Sequence, residues 1–522
     1  MASVLTRKAL DFGQSHSLET IVLVLVAFAL FIFIASETRV SHAELQVLNS
    51  KKLFEFTRSR AKKEFAFGAR DMLRRWFETN PSTACYVNSD VGPVVVLPPH
   101  MANEIRNEPG LSFAKFVGKS FHSHLPGFEG FREGSSQSGS SLIQMVLTRD
   151  LTKQLAKVTE DIADETELSI QDLFTESKEW HDIPLQQTIL RLVARISSRV
   201  FLGEELCRNE DWLRVTTEYT IVAFRAAENL RFWPSLARPI VHWFLLGCRQ
   251  SRELVKEARR IIQPILEKRR ELKSEARVAG QRPPEFNDAI EWFETTSNGR
   301  AYDPALVQLF MSVAAIHTTT DLICQTLIDL AQHPDIVEHL RREISTALEE
   351  EGWRKTSLYK MKLLDSVIKE SQRLKPNAMA SMRRIASNRI TLSNGTIIEK
   401  GDTIAVSSHT MWDATLYPNP TEWDGYRFYK MRNTPGKQSL AQLVTTSPEH
   451  FGFGHGLHAC PGRFFAANEV KIALVHVLMK YDLQLGGGVK PKVREFGFTL
   501  GVDPHLEMRI RRNGKELDVA MD

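Results

Sequence analysis

The chain has 522 residues, a formal net charge of +4 and 43% hydrophobic residues. A charge this small excludes a protein built chiefly to bind a polyanion such as nucleic acid. The five cysteines are too few for a disulfide framework and are typical of a reducing compartment.

An uncharged apolar run lies close to the N-terminus. Residues 20–36 read TIVLVLVAFALFIFIAS, which is at the short end of the length that a membrane-spanning helix needs. A cleaved signal peptide is the alternative, because Arg7 and Lys8 precede the run and a small-x-small pattern follows at 41–43. Basic residues are more frequent after the run, between 51 and 63, which favours an anchor whose C-terminal side faces the cytosol. We predict a lumenal tail at 1–19, a transmembrane anchor at 20–36 and a linker at 37–61.

The next segments alternate between strand, loop and helix signals. Residues 88–99 predict a pair of strands, and the Gly/Ser-rich stretch 126–141 predicts a loop, interpreted as a mobile lid. Helical periodicity dominates 185–203 and 251–273. The charges of 251–273 indicate a solvated helix face, with no interleaved aromatic residues that would suggest nucleic acid.

A second apolar cluster spans 231–246 and carries Trp233 and Trp243 beside basic residues. Such a segment can lie in a bilayer interface, and it can equally be a buried core helix. The sequence leaves both interpretations open.

A long apolar helix is predicted between residues 301 and 330. Asp303 before Pro304 is typical of an N-cap followed by the first helical position. Thr318 begins a run of three threonines in the middle of this helix, where β-branched hydroxyl residues are poor helix formers. Their hydroxyls either bond back to helix carbonyls or serve a bound group.

The segment 361–376 predicts a helix that ends before a proline. Glu370 and Arg373 are three residues apart and therefore share one helix face. Arg427, in the later segment WDGYRF, supplies a second arginine. A surface ion pair is the simpler interpretation, and a buried glutamate between two arginines is the alternative that the apolar face of the helix favours.

A strand hairpin is predicted at 390–406. Apolar and polar residues alternate on both sides of Asn394-Gly395, which is a strong signal for a type I′ turn.

The most informative segment is FGFGHGLHACPG at 451–462. Its spacing places Phe453, Gly456, Cys460 and Gly462 around one cysteine that directly precedes a helical pattern. A thiolate at a helix N-terminus is stabilised by free N–H groups and by the helix dipole, so we expect a lowered pKa for Cys460. The glycines allow the backbone to approach a flat ligand closely.

Together these segments resemble the cytochrome P450 superfamily, and the resemblance covers nearly everything after about Lys62. It implies one catalytic domain at 62–522, mainly α with a smaller β-rich lobe (α+β), on a single N-terminal transmembrane helix. Cys460 takes the position of the axial ligand to the iron of haem b. The resemblance gives Glu370, Arg373 and Arg427 the role of a structural lock. It places Phe453, Gly456, His458 and Arg384 around the haem. Phe453 would shield the sulfur from water, and His458 and Arg384 would be partners of a haem propionate, with Arg383 as the alternative to Arg384.

The string AAIHTT at 314–319 resembles the oxygen-activating stretch of that family. The resemblance makes Thr318 the threonine that hydrogen-bonds the bound dioxygen and a water. Ala315 stands where a glycine is usual, and His317 where an acidic residue is usual. His317 either relays protons, since a histidine titrates near neutrality, or turns to solvent or to a backbone carbonyl.

The resemblance also implies a membrane-bound partner. Electrons would come from NADPH through a membrane-bound NADPH-cytochrome P450 reductase, with cytochrome b5 as a second candidate donor, at the cytosolic face of the endoplasmic reticulum. Arg463 and Lys471, near the thiolate, are candidates to dock an acidic flavoprotein, and simple surface solvation is the alternative for each.

The expected reaction is insertion of one oxygen atom into a hydrophobic molecule. Apolar or small side chains are candidates for the pocket wall. The motifs look like those of fungal members that oxidise terpenoids, including gibberellin-pathway and indole-diterpene oxidases. A haem-thiolate isomerase or dehydratase and a haem sensor or carrier remain as alternatives. The pocket candidates are Phe310, Ala314, Ala315, Ala378, Met379 and Ala380.

Overall fold

The computed structural model describes residues 20, 44–52, 54–55, 57–132, 142–488 and 490–514. The predicted tail, most of the predicted anchor at 20–36 and residues 133–141 of the predicted lid lie outside the described residues. Within them, one helix is long and apolar enough to cross a membrane, at Pro304–Gln332, and most of its most apolar stretch is buried inside the protein.

Helices make up most of the described chain, as predicted. A π-helical turn at Val146–Leu151 leads into the fifth of them, and short 3-10 turns connect several others. In chain order they are α1 (Ser59–Thr79), α2 (Ala102–Ile105), α3 (Phe113–Ser120), α4 (Leu142–Met145), α5 (Thr152–Phe174), α6 (Leu185–Leu202), α7 (Glu204–Cys207), α8 (Glu210–Arg231), α9 (Arg238–Val241), α10 (Leu246–Val278), α11 (Ala289–Ser297), α12 (Pro304–Gln332), α13 (Asp335–Glu351), α14 (Lys355–Lys360), α15 (Lys362–Leu374), α16 (Arg427–Arg432) and α17 (Arg463–Lys480).

The strands form four small sheets. The largest has the order β1-β2-β8-β5-β3, with β2 and β8 parallel and the other pairs antiparallel. The others are β4-β12-β9, β10-β11 and β6-β7. The bounds are β1 (Cys85–Ser89), β2 (Gly92–Leu97), β3 (Leu111–Ser112), β4 (His181–Pro184), β5 (Ala380–Ala386), β6 (Ile390–Thr391), β7 (Ile397–Ile398), β8 (Thr403–Ser407), β9 (Tyr481–Leu485), β10 (Val493–Phe496), β11 (Thr499–Val502) and β12 (Glu507–Arg512).

Both predicted strand pairs form, but the second has a different turn. Residues 85–97 make the hairpin β1-β2 with Cys85 opposite Val96. In the β6-β7 hairpin the Gly395 N–H donates to the Leu392 carbonyl, and Gly395 alone has a positive φ, of 83°. A type I′ turn needs a positive φ at both central residues, so the type I′ prediction is wrong. The turn resembles instead a type I turn followed by a left-handed glycine.

Helix α12 is the centre of the helical part. It packs against α6, α8, α10, α15 and α17, and it is apolar on nearly every face, which is the pattern of a buried helix. The predicted cap is confirmed: Asp303 Oδ1 accepts the N–H groups of Ala305 and Leu306 at 3.0 and 3.2 Å.

The segment 231–246 is not a core helix. Its only helix, α9, buries no residue. Phe232, Leu236 and Phe244 are 70%, 71% and 83% exposed, so an apolar surface patch is what the structure has here. We call it the 232–246 patch; its members are Phe232, Trp233, Leu236, Ile240, Trp243 and Phe244.

Candidate active site

The cysteine loop, residues 451–462, ends at the start of α17. The Cys460 N–H donates to the Phe453 carbonyl at 2.8 Å, and the Ala459 N–H donates to the Gly456 carbonyl at 2.9 Å. Helix α17 begins at Arg463, with Gly462 as its N-cap. Cys460 therefore lies just before a helix N-terminus, as predicted.

The predicted pKa of Cys460 is corrected by the structure. Burial raises the pKa of the thiol, while the Gly462 N–H bond and the Arg463 charge lower it by less. The helix start thus does not by itself make a thiolate at neutral pH. A coordinated metal cation deprotonates a thiol outright, so the thiolate would come from metal binding.

The glycines of the loop serve protein contacts as much as ligand contacts. Gly456 has a φ of +77°, and a Cβ there would lie 2.4 Å from the Arg106 Cβ and 2.8 Å from its carbonyl oxygen. A Cβ on Gly452 would overlap the Gln372 side chain at 1.9 Å. Gly454 has more room, with its nearest neighbours at 3.7 Å. Gly462, at the other end of the loop, has no neighbouring atom within 4 Å of a Cβ. The loop therefore packs on the end of α2 through Gly456, while Gly454 and Gly462 are less crowded.

The donor set fits a haem. Among the described residues no group of three or more His, Cys, Asp or Glu side chains could hold a metal ion. Cys460 is a free, partly exposed thiol, whereas the other four cysteines are free and buried. A single sulfur holds iron stably when the remaining ligands come from the cofactor, as they do from the porphyrin of a haem.

His458 lies beside this loop with its side chain exposed. Its ring is 5.9 Å from the Phe113 ring, between centroids, and partial desolvation by the surrounding protein, together with the Arg384 charge, lowers the pKa of His458. The described structure gives this imidazole no hydrogen-bond partner in the protein, so it is free to meet a ligand.

The two arginines that competed for a propionate differ in their surroundings. Arg384 is 1% exposed and donates to the carbonyls of Ile105 and Arg106 at 2.6 and 3.0 Å. Burial lowers its pKa to about 10. The Arg383 guanidinium lies over the rings of Phe116 and Phe498 at 5.4 and 5.9 Å, with no hydrogen bond to the described protein. Arg383 therefore has its whole guanidinium available for a propionate, whereas Arg384 has only its buried Nε without a partner in the described protein. Which of the two pairs with a propionate stays a prediction.

The predicted lock is confirmed as a buried network. Glu370 and Arg373 are both fully buried, and Glu370 accepts Arg373 Nε at 2.8 Å and Arg427 Nε at 3.0 Å. The Asp424 N–H adds a further bond to Glu370 at 3.1 Å. Arg373 also donates to the carbonyls of Met411 and Pro420. The alternative of a surface ion pair is wrong.

A second buried network on α15 escaped the sequence analysis. Asp365 forms ion pairs with Lys471, at 2.7 Å, and with Arg432. Lys369 is 1% exposed and donates to three backbone carbonyls between 440 and 445. Asp365 and Lys369 are four residues apart, a spacing that also describes ordinary surface pairs, so the sequence carried no signal for burial.

The docking role predicted for Lys471 is wrong. Its side chain is 7% exposed and occupied by Asp365 and the Leu358 carbonyl. Arg463 is partly exposed, and it donates to the carbonyls of Val444 and Cys460 at 3.2 and 3.0 Å. Arg463 thus fastens the cysteine loop and has little freedom to meet a partner.

One face of α12 is exposed in the middle of this otherwise buried helix. Ala314 and Thr318 are exposed and Ala315 is half-buried, whereas Ile316 and Thr319 are buried. The Thr318 hydroxyl donates to the Ala314 carbonyl at 2.9 Å. This strip of small side chains with one hydroxyl borders space that a ligand can occupy.

His317 lies on a different side of α12. Its ring bonds to the backbone of Thr217 on α8, its Nε2 is buried without a partner among the described residues, and burial lowers its pKa. Of the orientations left open by the sequence, the structure shows the one toward a backbone carbonyl. The imidazole is neutral at pH 7, with one nitrogen still unpaired.

The remaining pocket candidates divide into two groups. Phe310 and Ala378 are half-buried, and Phe310 packs against the margin of the helical core. Met379 and Ala380 are 3% and 0% exposed and pack in the β-lobe core with Phe65, so their assignment to the pocket wall is corrected.

Glu469 is a buried acid that the sequence analysis missed. It lies on α17, is fully buried and accepts the Ser197 hydroxyl at 2.6 Å. Burial raises its pKa to about 8, and the hydroxyls of Ser197 and Thr319 lower it by less. Its position nine residues after Cys460, inside an apolar helix, was the available signal.

Comparison with known proteins agrees with this geometry. A family model described as "Cytochrome P450" matches residues 94–506. The chain is 50% identical over 476 residues to cytochrome P450 monooxygenase hepE of Aspergillus oryzae, covering 91% of this chain and 86% of that protein. It is 49% identical over 442 residues to cytochrome P450 monooxygenase 1 of Gibberella fujikuroi, covering 84% of this chain and all of that protein.

More distant proteins share the fold. Cytochrome P450 monooxygenase TRI1 of Fusarium sporotrichioides is 45% identical over 471 residues, 90% of this chain and 86% of that protein. The solved haem domain of cytochrome P450DA superimposes with a TM-score of 0.68 at 15% identity, over 92% of this chain and 99% of that one. A cyanobacterial CYP120A1 with bound retinoic acid gives 0.63 at 18% identity, over 85% and 95%.

Proposed function

This chain belongs to the cytochrome P450 family and is a haem-thiolate monooxygenase, and from that premise we propose that it oxidises a hydrophobic terpenoid of fungal secondary metabolism with electrons from NADPH. The relatives at 41–50% identity are named fungal cytochrome P450 monooxygenases. The observation that supports a hydrophobic substrate is the exposed strip on α12, where Ala314 and Ala315 offer only methyl groups beside the Thr318 hydroxyl. The terpenoid class rests on the resemblance of the motifs to those of fungal terpenoid oxidases.

The thiol of Cys460 would hold the haem iron from one side. Haem, when bound, supplies the iron centre that binds and cleaves dioxygen with two electrons. The chain contributes the lone sulfur, the Gly462 N–H bond to it, and a loop whose position is fixed by Gly456 against Arg106. These contacts fix the position of the sulfur relative to the rest of the loop.

Polar side chains without protein partners would hold the propionates. His458 and Arg383 both lack protein hydrogen bonds in the described structure; His458 lies against Phe113, and Arg383 lies over Phe116 and Phe498. A propionate would satisfy the Arg383 guanidinium, whose pKa burial lowers. Arg384 would act indirectly, because it bonds to the carbonyls of Ile105 and Arg106, against which the cysteine loop packs.

Protons would reach the α12 space through Thr318. Its hydroxyl can turn from the Ala314 carbonyl and donate to a water or to a bound oxygen atom, since an exposed hydroxyl rotates freely. His317 directly precedes Thr318 in the chain, and the unpaired Nε2 of its neutral imidazole can accept a proton. We propose His317 as a relay in place of the usual acidic residue.

A hydrophobic substrate would arrive from a membrane. The 232–246 patch supports this proposal, because large apolar side chains with 54–83% exposure at Trp243, Leu236 and Phe244 are costly in water and stable in a bilayer interface. We propose an enzyme of the endoplasmic reticulum membrane, anchored at 20–36, with its catalytic domain in the cytosol. A membrane-bound NADPH-cytochrome P450 reductase, with cytochrome b5 as a second donor, would supply electrons.

The test incubates microsomes containing the protein and a reductase with a panel of fungal terpenoids, with and without NADPH, and identifies products by mass spectrometry. We expect products that carry one added oxygen atom from labelled dioxygen, only with NADPH. Cys460→Ala should form none, while Cys248→Ala, which alters a buried thiol on α10, should behave as the wild type. Products formed without NADPH would indicate an isomerase or dehydratase, and no product from any terpenoid would overturn the substrate class.

A further inference from the structure

Asp321 is a charged residue inside the central helix that the roles above do not explain. It lies three residues after Thr318 on α12, with its side chain 14% exposed. Its Oδ1 accepts the Val502 N–H of β11 at 2.9 Å, and its Oδ2 pairs with the Lys375 ammonium. One carboxylate therefore joins three separate parts of the chain.

Lys375 belongs to the segment that leaves the lock helix. It is the C-cap residue of α15, its N–H donates to the Ser371 carbonyl, and its side chain is 3% exposed. A buried ammonium without a carboxylate partner is strongly unfavourable, so this ion pair fixes where the segment passes α12.

The same segment is joined to the hairpin β10-β11 through the backbone. The Met379 N–H donates to the Phe498 carbonyl at 2.9 Å, and the Leu500 N–H donates to the Asn377 carbonyl at 3.1 Å. Ala378 and Thr499 form a bridge between these bonds. The hairpin and the segment therefore move as one unit.

We propose that Asp321 is a positioning residue, which sets the distance between the Thr318 face of α12 and the wall formed by Ala378 and the β10-β11 hairpin. It thereby determines which carbon of the substrate is presented for oxidation. The proposal rests on the monooxygenase function and adds a residue that decides its selectivity.

The tether at Asp321 is separate from the lock around Glu370. The lock around Glu370 is satisfied by its own arginines and contacts neither Asp321 nor Val502. Loss of the Asp321 tether should leave the lock and the cysteine loop intact and release only the wall. A displacement of about 1 Å between reacting groups can change a rate by ~100-fold, so a small shift of this wall is enough to change the product.

The first measurement needs no substrate. Hydrogen exchange of the haem-loaded protein, followed by mass spectrometry, should show faster exchange of the 496–502 peptide in Asp321→Ala, because the Val502 N–H loses its acceptor. Asp329→Ala is the matched control: Asp329 lies two turns further along α12, is 7% exposed, and bonds to Gln325 within the helix and to the Ser371 side chain of α15 rather than to β11. It should leave that peptide unchanged.

The second measurement is the ratio of oxidised products from the substrate that the terpenoid panel identifies. Asp321→Asn keeps an acceptor for Val502 but breaks the ion pair, and we expect the ratio of regioisomers to change by at least about threefold, with the red-shifted Soret band of the reduced, carbon-monoxide-treated protein retained. Lys375→Met should change the ratio in the same direction, and it serves as the test if Asp321→Asn fails to fold.

The outcomes are distinct. An unchanged product ratio and unchanged exchange at 496–502 in folded Asp321 or Lys375 variants would overturn the positioning role. Absence of product from the wild type would overturn the proposed function, while the exchange result would still decide the tether.

Discussion

The lock around Glu370 and the exposed strip on α12 treat polar groups in opposite ways. Glu370 is fully buried and receives four hydrogen bonds from Arg373, Arg427 and the Asp424 backbone. Thr318 is exposed within a buried helix and bonds only to carbonyls of its own helix. The polar groups of the lock are all bonded within the protein, whereas the exposed side chains of the strip are available to a ligand. Changes at the lock should affect folding, and changes at the strip should affect turnover.

The largest effect is expected at the lock. Glu370→Gln removes the charge between two arginines and leaves the buried guanidinium of Arg373 unpaired, which should cost about 3–5 kcal/mol of folding free energy. We expect little folded protein and loss of the red-shifted Soret band that the reduced, carbon-monoxide-treated wild type should show. Glu349→Gln, an exposed residue on α13, is the control and should match the wild type. A folded Glu370→Gln protein with a normal band would mean that the lock is dispensable.

At the strip, Thr318→Ala should leave folding within about 0.5 kcal/mol of the wild type, as for most exposed substitutions. Product formed per NADPH consumed should fall by up to ~100-fold, the scale of a positioned proton donor. The measurement compares NADPH oxidation with product and peroxide. Thr346→Ala, whose exposed hydroxyl bonds to a carbonyl four residues earlier on α13 in the same way, should keep normal coupling. Normal coupling in Thr318→Ala as well would remove Thr318 from proton delivery.

Glu469 differs from both regions: it is buried, as the lock is, but it has no charged partner among the described residues. Its pKa is about 8 when folded and near 4.5 otherwise, so the folded protein retains a proton that the unfolded chain releases between these values. Folding stability contributed by this group therefore falls as pH rises from about 4.5 to 8, by at most about 1.4 kcal/mol per pH unit.

Glu469→Gln should remove that slope. Thermal unfolding of the haem-loaded protein at pH 5.5 and 7.5 should show a smaller difference in the variant than in the wild type, with the gain in stability at pH 7.5. Glu349→Gln again provides the control. A variant with the same pH difference as the wild type would show that Glu469 is ionised in the fold.

The smallest effect is expected at His317. Since burial lowers its pKa, the imidazole is neutral near pH 7 and becomes protonated only as pH falls below about 6.5. If it relays protons, His317→Ala should reduce coupling by about tenfold or less and lose the decline of activity at acid pH. Coupling and a pH profile equal to those of the wild type would remove the relay.

The sequence predicted the contacts that depend on spacing along one element. Glu370 and Arg373 share a helix face, and Asp303 precedes a proline, so both contacts follow from local geometry. The cysteine loop was found by its glycine spacing. The fold class followed from the resemblance that these short motifs carry.

Contacts between distant segments could not be predicted. Lys471 reads as a surface cation, and only the approach of Asp365, 106 residues earlier, shows why it is buried. Asp321 and Lys375 are 54 residues apart and belong to different motifs. The pKa of Cys460 was mistaken for a related reason: the dipole of a helix is visible in sequence, whereas the desolvation that outweighs it is a property of packing.

The seat of the cysteine loop on α2 has a consequence for biosynthesis. Gly456 and Leu457 pack against Arg106, whose carbonyl also accepts a hydrogen bond from Arg384. This contact joins a segment near residue 106 to a segment near residue 456. During translation, more than 300 further residues must be made after residues 105–107 before this contact can form. Prosthetic-group uptake must therefore follow release of nearly the whole polypeptide from the ribosome, and truncated chains that end before this loop should accumulate without pigment.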